Sequence, residues 1–340
     1  MSRKMLVGFL LVAMLLTAAP ASLAQDDLGT EDNPIQVYFV PSVEAEAIVS
    51  GGEIMAQALT EATGLEFEVF VPTSYAATIE AMCASPDNSM GFIPAAGYVI
   101  ANNRCGVEVG AAAVRYGWPV YWAQYIVRRD SDIYTFGDLE GKTWGYGDPS
   151  STSGFIVPQV EMMAAGIEYG DTVETGGHPQ TVLAVYNGEV DFGTTYFSPP
   201  RMPGAQWNYG DLPEPYDLSI DESYFNDEGK LYVGDIRPMD ARVSVRETAP
   251  DVIDQVRILR ISAPIPNDTL SFGPDFPEEV RGQIIDTLIT FSGTEAWDQS
   301  IGSEDFYNWS TLEPITDSFF DPVRLQFETL GMTDEDVLGE

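Results

Sequence analysis

Basic residues are scarce in this sequence: 16 Lys and Arg stand against 53 Asp and Glu, which gives a formal net charge of −37 at pH 7. Nucleic-acid-binding proteins neutralise phosphates with clustered Lys and Arg, so this composition excludes nucleic acid as a partner. It also argues against attraction to anionic membrane surfaces. We interpret the acidic surface as a solubility feature.

Long apolar runs are also scarce. Beyond the N terminus, none approaches the roughly 18 consecutive apolar residues of a membrane-spanning helix. At the N terminus, Arg3 and Lys4 precede an apolar run over residues 5–19 and a small-residue stretch over 21–24. This order predicts a cleavable secretory signal over residues 1–24, with a retained membrane anchor as the alternative. We therefore expect a soluble periplasmic or otherwise extracytoplasmic protein.

Cysteine and histidine are scarce, and no second pair of ligands has a spacing suited to a zinc site with the two cysteines. The chain has two cysteines, Cys83 and Cys105, and one histidine, His178. No metal or other cofactor is indicated. In an exported protein the cysteines either form one disulfide or remain two buried thiols, and the sequence leaves both open.

Strand-like and helix-like segments alternate along the chain. Residues 35–40, 66–71 and 121–129 have strand patterns, whereas 54–63 and 75–82 have helical patterns. Such alternation predicts α/β sheets with parallel strands, on which ligands bind beyond the carboxyl ends of the strands. The length is sufficient for two lobes.

A run of hydroxyl side chains is the most informative local feature. The predicted strand 143–146 leads through Asp148 and Pro149 into Ser150, Ser151, Thr152 and Ser153, and a predicted helix follows over 157–165. Unpaired N–H groups and the positive end of the helix dipole attract anions at such a junction. One hydroxyl would suffice to cap the helix, so the run predicts an anion contact, with capping alone as the alternative.

Four motifs resemble those of the periplasmic phosphonate/phosphite/phosphate-binding proteins of ABC importers. The resemblance implies a class II, two-lobed periplasmic-binding-protein fold with two parallel-dominated sheets and a two-strand hinge. It implies a first lobe over 33–128 plus 260–330 and a second over 129–259. The motifs are LEGKTWGYGDPSSTSGFIVP at 139–158, GHPQTVLAV with NGEVDFG at 177–193, PIPND at 264–268 and, more weakly, SYAA with IEA at 74–81.

The resemblance also implies a function and its residues. The protein would be a monomer that binds a small oxyanion and delivers it to a permease with a cytoplasmic ATPase. By position, the ligand-binding residues would be Tyr75, Ser151, Thr152, Ser153, His178 and Asp268.

The pocket for the organic substituent departs from the family pattern. Phe92 and Ser198 stand where aminoethylphosphonate-binding relatives carry a ligand-bonding tyrosine and an acid that holds the ligand's amine. The segment 203–251 is longer than usual and has no clear counterpart. The Asp268 carboxylate beside an anion would require a shared proton, which a phosphonate can supply and sulfate cannot, so we expect the site to reject sulfate. The alternative is that Asp268 only caps a turn.

Two alternatives remain open at this point. A sulfonate- or sulfate-binding protein would have the same fold. A hydrolase would use Ser153, His178 and Asp191 as nucleophile, base and orienting acid, although no G-x-S-x-G elbow is present.

Overall fold

The computed structural model describes residues 27–331 and 333, and the predicted signal peptide over 1–24 lies outside them. Within the described residues, no helix has both the length and the apolar character needed to cross a membrane.

Strands and helices alternate through most of the described chain. The strands are β1 (Ile35–Phe39), β2 (Phe67–Phe70), β3 (Ser89–Ile93), β4 (Glu108–Val114), β5 (Val120–Arg128), β6 (Trp144–Tyr146), β7 (Thr172–Glu174), β8 (Phe192–Phe197), β9 (Ser223–Phe225), β10 (Leu231–Val233), β11 (Val256–Ile261), β12 (Ile265–Pro266), β13 (Thr269–Phe272) and β14 (Thr311–Pro314). The helices are α1 (Ala45–Thr63), α2 (Tyr75–Ala84), α3 (Ala95–Cys105), α4 (Val157–Ala164), α5 (His178–Asn187), α6 (Val252–Gln255), α7 (Glu278–Phe291) and α8 (Asp321–Leu330).

These strands form two large sheets, one in each lobe. The first has the order β14-β4-β13-β3-β1-β2; the second has the order β11-β5-β8-β6-β7, with β12 paired to β5. In the first sheet β1, β2, β3 and β4 run in one direction and β13 and β14 in the other. In the second sheet β5 alone runs against the others. The predicted two-lobed α/β architecture is confirmed.

Two short chain segments connect the sheets: residues 115–119 between β4 and β5, and residues 267–268 between β12 and β13. Asn267 binds across them, because its Nδ2 donates to the carbonyl oxygens of Ala113 and Trp118, each at 3.0 Å. The sequence assigned β5 to the first lobe, but it pairs with β8 of the second sheet. An apolar strand pattern indicates burial without indicating the sheet, so the predicted lobe boundary differs from the sheet boundary here.

Each lobe has its own hydrophobic core. The first-lobe core includes Val37 of β1, Leu59 of α1 and Phe272 of β13, all fully buried. Separate clusters cover the two faces of the second sheet, one around Trp122 and the other around Trp144. The structure joins Cys83 and Cys105 as a disulfide across the ends of α2 and α3, with a Cα–Cα distance of 5.6 Å, which decides between the two alternatives.

The long segment after β8 folds onto the second lobe. It contains the β9–β10 hairpin and a 3-10 turn, Ala241–Val245. Arg242 is fully buried within it and forms ion pairs with Asp240 at 2.8 Å and Glu214 at 2.7 Å. A buried arginine needs such partners, so the segment has a fixed arrangement where it meets the cleft.

Candidate ligand-binding cleft

The hydroxyl turn follows β6 and opens a π-helical turn, Thr152–Ile156, that continues into α4. Ser151 caps this turn, since its Oγ accepts a hydrogen bond from the N–H of Gly154 at 3.2 Å. The Thr152 Oγ1 accepts from the N–H of Ala96, at the start of α3 in the first lobe, at 2.9 Å. Ser151 therefore does cap the turn, as the capping alternative expects. Thr152 instead forms a hydrogen bond with the first lobe.

Glycine allows the hydroxyl turn to pack against the start of α5. A Cβ on Gly147 would lie 2.9 Å from the Gly177 Cα, and one on Gly154 would lie 2.9 Å from the Ser151 Oγ. A side chain at Gly147 would collide with the Gly177 backbone, so the two loops approach closely because Gly147 lacks a Cβ, whereas Gly154 leaves room for the Ser151 hydroxyl within the turn. This contact places Ser151 and Ser153 beside His178, in the lining of one cavity.

His178 is buried at the first position of α5, beside the turn. Its Nδ1 is buried and has no hydrogen-bond partner among the described residues, and its ring lies edge-on to Tyr196 with 5.1 Å between centroids. Burial, together with the positive charge of Arg115, lowers the His178 pKa to about 4. The imidazole is therefore neutral at neutral pH and has one N–H to donate.

The first lobe contributes phenols to the opposite wall, and the second connection between the lobes contributes a carboxylate. Tyr75, at the start of α2, and Tyr307 are buried, and burial raises the pKa of both. Asp268 lies on the connection to β13, and its Oδ2 is 3.1 Å from Arg115 Nη2. Burial raises the Asp268 pKa, and Arg115 opposes that shift.

These side chains enclose a cavity of about 70 Å³ between the lobes. One water needs roughly 10–15 Å³, so the space suits an ion of a few non-hydrogen atoms with a small substituent. The lining includes five of the six predicted ligand-binding residues, namely Tyr75, Ser151, Ser153, His178 and Asp268. Thr152 is absent from that lining.

Of the two residues that the sequence placed beside the organic substituent, Phe92 and Ser198, one lines the cavity. Ser198 lines the cavity, whereas Phe92 lies in the first-lobe core and stacks on Phe39 at 4.7 Å between centroids. Tyr116, in the turn between β4 and β5, and Tyr121 of β5 line the cavity, whereas Trp122 of β5 packs in the second-lobe core. Phe92 supplies no hydroxyl, but the two tyrosines place theirs at the cavity.

Sequence reasoning missed three arginines that line the cavity: Arg115, Arg237 and Arg246. Arg237 and Arg246 come from the long segment after β8, and they pair with Glu304 and Asp305 of the first lobe. An adjacent pair of acids opposite two arginines is a tertiary arrangement, for which the sequence gives no local signal.

Asp191 does not orient His178, as the hydrolase alternative would require. Asp191 is exposed before β8, and its Oδ2 accepts a hydrogen bond from the N–H of Thr143 at 2.8 Å. His178 contacts Tyr196, near the other end of β8. Asp191 and His178 therefore lie toward opposite ends of that strand. Among the described residues, no group of His, Cys, Asp and Glu could hold a metal ion.

Two α/β lobes joined by two short connections, with a polar cavity between them, define a two-lobed binding protein. Residues 37–320 match the family model described as "ABC transporter, phosphonate, periplasmic substrate-binding protein". The chain belongs to this family, whose members are binding proteins rather than enzymes.

The chain is also similar to individual proteins, of which the two solved structures share its fold. The Phosphate-import protein PhnD of Mycolicibacterium smegmatis is 27% identical over 201 residues, which is 54% of this chain and 62% of the relative. A phosphonate-transporter binding protein from Pseudomonas aeruginosa has a TM-score of 0.65 at 21% identity, covering 86% of this chain and 85% of its own. PhnD1 from Prochlorococcus marinus, in complex with methylphosphonate, has a TM-score of 0.65 at 13% identity, covering 88% and 98%.

Proposed function

We propose that the protein is the extracytoplasmic solute-binding protein of an ABC importer and captures a phosphonate, phosphite or phosphate between its lobes. One observation carries the proposal: side chains from both lobes, distant in sequence, converge on one small enclosed cavity. Ser151, Ser153 and His178 come from the second lobe, and Tyr75 comes from the first. Asp268 lies on the second connection between the lobes.

The oxyanion is held by short-range donors rather than by the field of the whole protein. A net charge of −37 repels anions, but salt screens exposed charges beyond about 10 Å at 0.1 M. Within the cavity, the Ser153 hydroxyl, the neutral His178 imidazole and the Tyr75 phenol supply donors. N–H groups at the start of the π-helical turn add an oriented positive potential.

Contacts between the lobes indicate that the described state is closed. Thr152 binds Ala96, and the Gln180 Nε2 donates to Glu44 Oε1 at 3.1 Å. The N–H of Tyr75 also donates to Asp148 Oδ2 at 3.4 Å. Since ligand contacts come from both lobes, release requires the lobes to separate.

The relatives support the importer role and the ligand class. One is named as a phosphate-import protein and another is bound to methylphosphonate. We propose a transporter permease with its cytoplasmic ATPase as the partner, a monomeric state, and export through the signal at residues 1–24. The lobe division follows the sheets, with β5 in the second lobe.

Calorimetric titration of ligand-stripped protein with methylphosphonate, phosphite, phosphate and sulfate tests the proposal. We expect saturable one-to-one binding of at least one phosphorus oxyanion. In a separate thermal melt the bound ligand should raise the Tm, because it stabilises the folded state by RT ln(1 + [L]/Kd). Binding of sulfate alone would support the sulfate-binding alternative. Absence of binding by all four compounds at millimolar concentration would mean that the proposal is wrong.

A further inference from the structure

Arg115 lines the cleft but is not one of the six predicted ligand-binding residues. It belongs to the turn between β4 and β5, where the N–H groups of Arg115 and Trp118 each donate to the other's carbonyl oxygen. Tyr116 and Gly117 within the turn have positive φ values of 54° and 81°. The Arg115 side chain is 10% exposed and lines the cavity, so the turn directs a cation inward beside the ligand-binding residues.

The guanidinium has more donors than the protein satisfies. Of its five N–H groups, the one on Nη2 that binds Asp268 has a partner at 3.1 Å. The Nε is buried and has no partner among the described residues. A buried donor without an acceptor is unfavourable, and an oxyanion in the cavity would supply acceptors.

Bracing of the two connections does not account for this arginine. The Asn267 side chain already binds Ala113 and Trp118, and the N–H of Ala113 donates to the carbonyl oxygen of Asp268 at 2.9 Å. The connections are therefore held together by neutral hydrogen bonds. The buried Arg115 guanidinium therefore adds a positive charge at this point, and the connections do not need it to stay together.

The charge balance decides which form of the ligand fits. Arg237 and Arg246 are paired with first-lobe acids, and His178 is neutral, so Arg115 is the cation that offsets Asp268. The requirement for a ligand proton, and with it the expected rejection of sulfate, depends on an unpaired carboxylate. In this cleft the carboxylate is paired.

We propose that Arg115 is a ligand-binding residue and that its ion pair with Asp268 makes the cleft select the fully ionised dianion of its oxyanion ligand. This inference rests on the proposed function and specifies the ligand form for the same site. A ligand oxygen binds the N–H groups that Asp268 leaves free, and Asp268 orients the guanidinium instead of sharing a proton with the ligand.

The tyrosines and the histidine around the pair keep one charge state over the useful pH range, whereas burial raises the pKa of the Asp268 and Asp148 carboxyls. The pKa values of the surrounding tyrosines are raised, chiefly by burial, and that of His178 is about 4. Asp268 is the facing carboxylate, and a variant can remove its charge. The groups that face the pair or these neighbours are Tyr75, Tyr116, Tyr121, Tyr196, Tyr307, His178, Asp148, Asp240, Glu304, Asp305, Arg201 and Arg246.

The test is calorimetric titration of the ligand-stripped protein with methylphosphonate between about pH 5.5 and 8.5. If the dianion is bound, the wild-type affinity rises about tenfold per pH unit below the ligand's second pKa and is level above it. Arg115→Gln should lose about tenfold or more in affinity at the alkaline end. Arg128→Gln, whose arginine pairs with Asp130 at the far end of β5, is the matched control and should bind like the wild type.

The double variant Arg115→Gln/Asp268→Asn separates binding from neutralisation, because it removes both charges together. We expect it to remain as weak as Arg115→Gln; recovery of wild-type affinity would mean that Arg115 only neutralises Asp268. If Arg115→Gln does not fold, the wild-type pH profile decides. A wild type that binds with level affinity at acid pH and falling affinity at alkaline pH overturns this inference alone. A wild type that binds no phosphorus oxyanion at any pH overturns the proposed function as well.

Discussion

Arg115 Nη2 lies 3.1 Å from Asp268 Oδ2, and this ion pair joins the two chain segments that connect the lobes. Both residues also line the cavity. The pair therefore lies at the pivot of any lobe movement and beside the ligand at the same time. The charge of the ligand and the relative position of the lobes can therefore both affect this ion pair.

Ser153 should be a sensitive hydroxyl of the turn, because it lines the cavity and can donate its O–H to a ligand oxygen, whereas Ser151 also caps the turn and Thr152 lies outside the lining. We expect Ser153→Ala to weaken methylphosphonate binding by about tenfold to a hundredfold, the range for a lost hydrogen bond to a charged group of about 1.5–3 kcal/mol. Calorimetry measures the change. Ser131→Ala, at a surface serine bonded to the Arg128 carbonyl, is the control. Unchanged affinity in folded Ser153→Ala would remove Ser153 from the site.

His178 should make the unliganded protein less stable in acid. Its folded-state pKa of about 4 lies below the ordinary 6.5, so the folded state binds fewer protons. The neutral form's contribution is fully present above about pH 6.5 and is lost as the pH falls toward 4. It amounts to about 3 kcal/mol in this window. Urea unfolding of wild type and His178→Gln from pH 7 to 4 measures it, since carboxylate titrations are common to both. Equal pH slopes in the two proteins would contradict a neutral buried His178.

The two arginines from the long second-lobe segment should differ in their effect on ligand release. The Arg237 and Glu304 side chains are 5% and 32% exposed, whereas the Arg246 and Asp305 side chains are 19% and 66% exposed. Buried pairs are costly to break, and exposed pairs contribute about 0–1 kcal/mol. Stopped-flow release should therefore be much faster in Arg237→Gln and within about fivefold of wild type in Arg246→Gln. The reverse order would contradict the role of Arg237 as a closing contact.

Selectivity should reflect the neutral side chain at Ser198. An aminoalkyl ligand gains nothing there from a carboxylate, and Arg115 repels its ammonium from within the same cavity. We expect no preference for aminoethylphosphonate over methylphosphonate in competition calorimetry. A preference of about tenfold or more would mean that another acid, with Asp240 and Glu304 as the cavity-lining candidates, holds the amine.

Local sequence patterns predicted the elements that depend on neighbouring residues. The predicted helix 54–63 ends where α1 ends, before Gly64 with a φ of 75°, and the predicted helix 75–82 begins where α2 begins, after Ser74, whose Oγ caps it by accepting a hydrogen bond from the N–H of Ala77. The same reasoning began α1 too late, because Gly51 and Gly52 lower helix propensity. In the fold a Cβ on Gly51 would lie 2.6 Å from the Phe306 ring, so tertiary packing explains that glycine.

The residues that sequence reasoning missed depend on contacts between distant segments. Arg115 and Asp268 are 153 positions apart, and an arginine next to a glycine-containing turn has the pattern of a surface loop. Likewise, the partner of Thr152 is the N–H of Ala96 in the other lobe, which no motif indicates. The contiguous hydroxyl turn was predictable, whereas the charge that faces it was not.

The central claim is that the ligand is enclosed between two lobes that close on it. Small-angle scattering of the ligand-stripped protein, with and without saturating methylphosphonate, tests this most directly. The account predicts a smaller radius of gyration in the bound state, because the contacts of Ser153, His178 and Tyr75 with the ligand are complete only when the lobes meet. Identical profiles in the two states, with saturation confirmed by calorimetry, would contradict it.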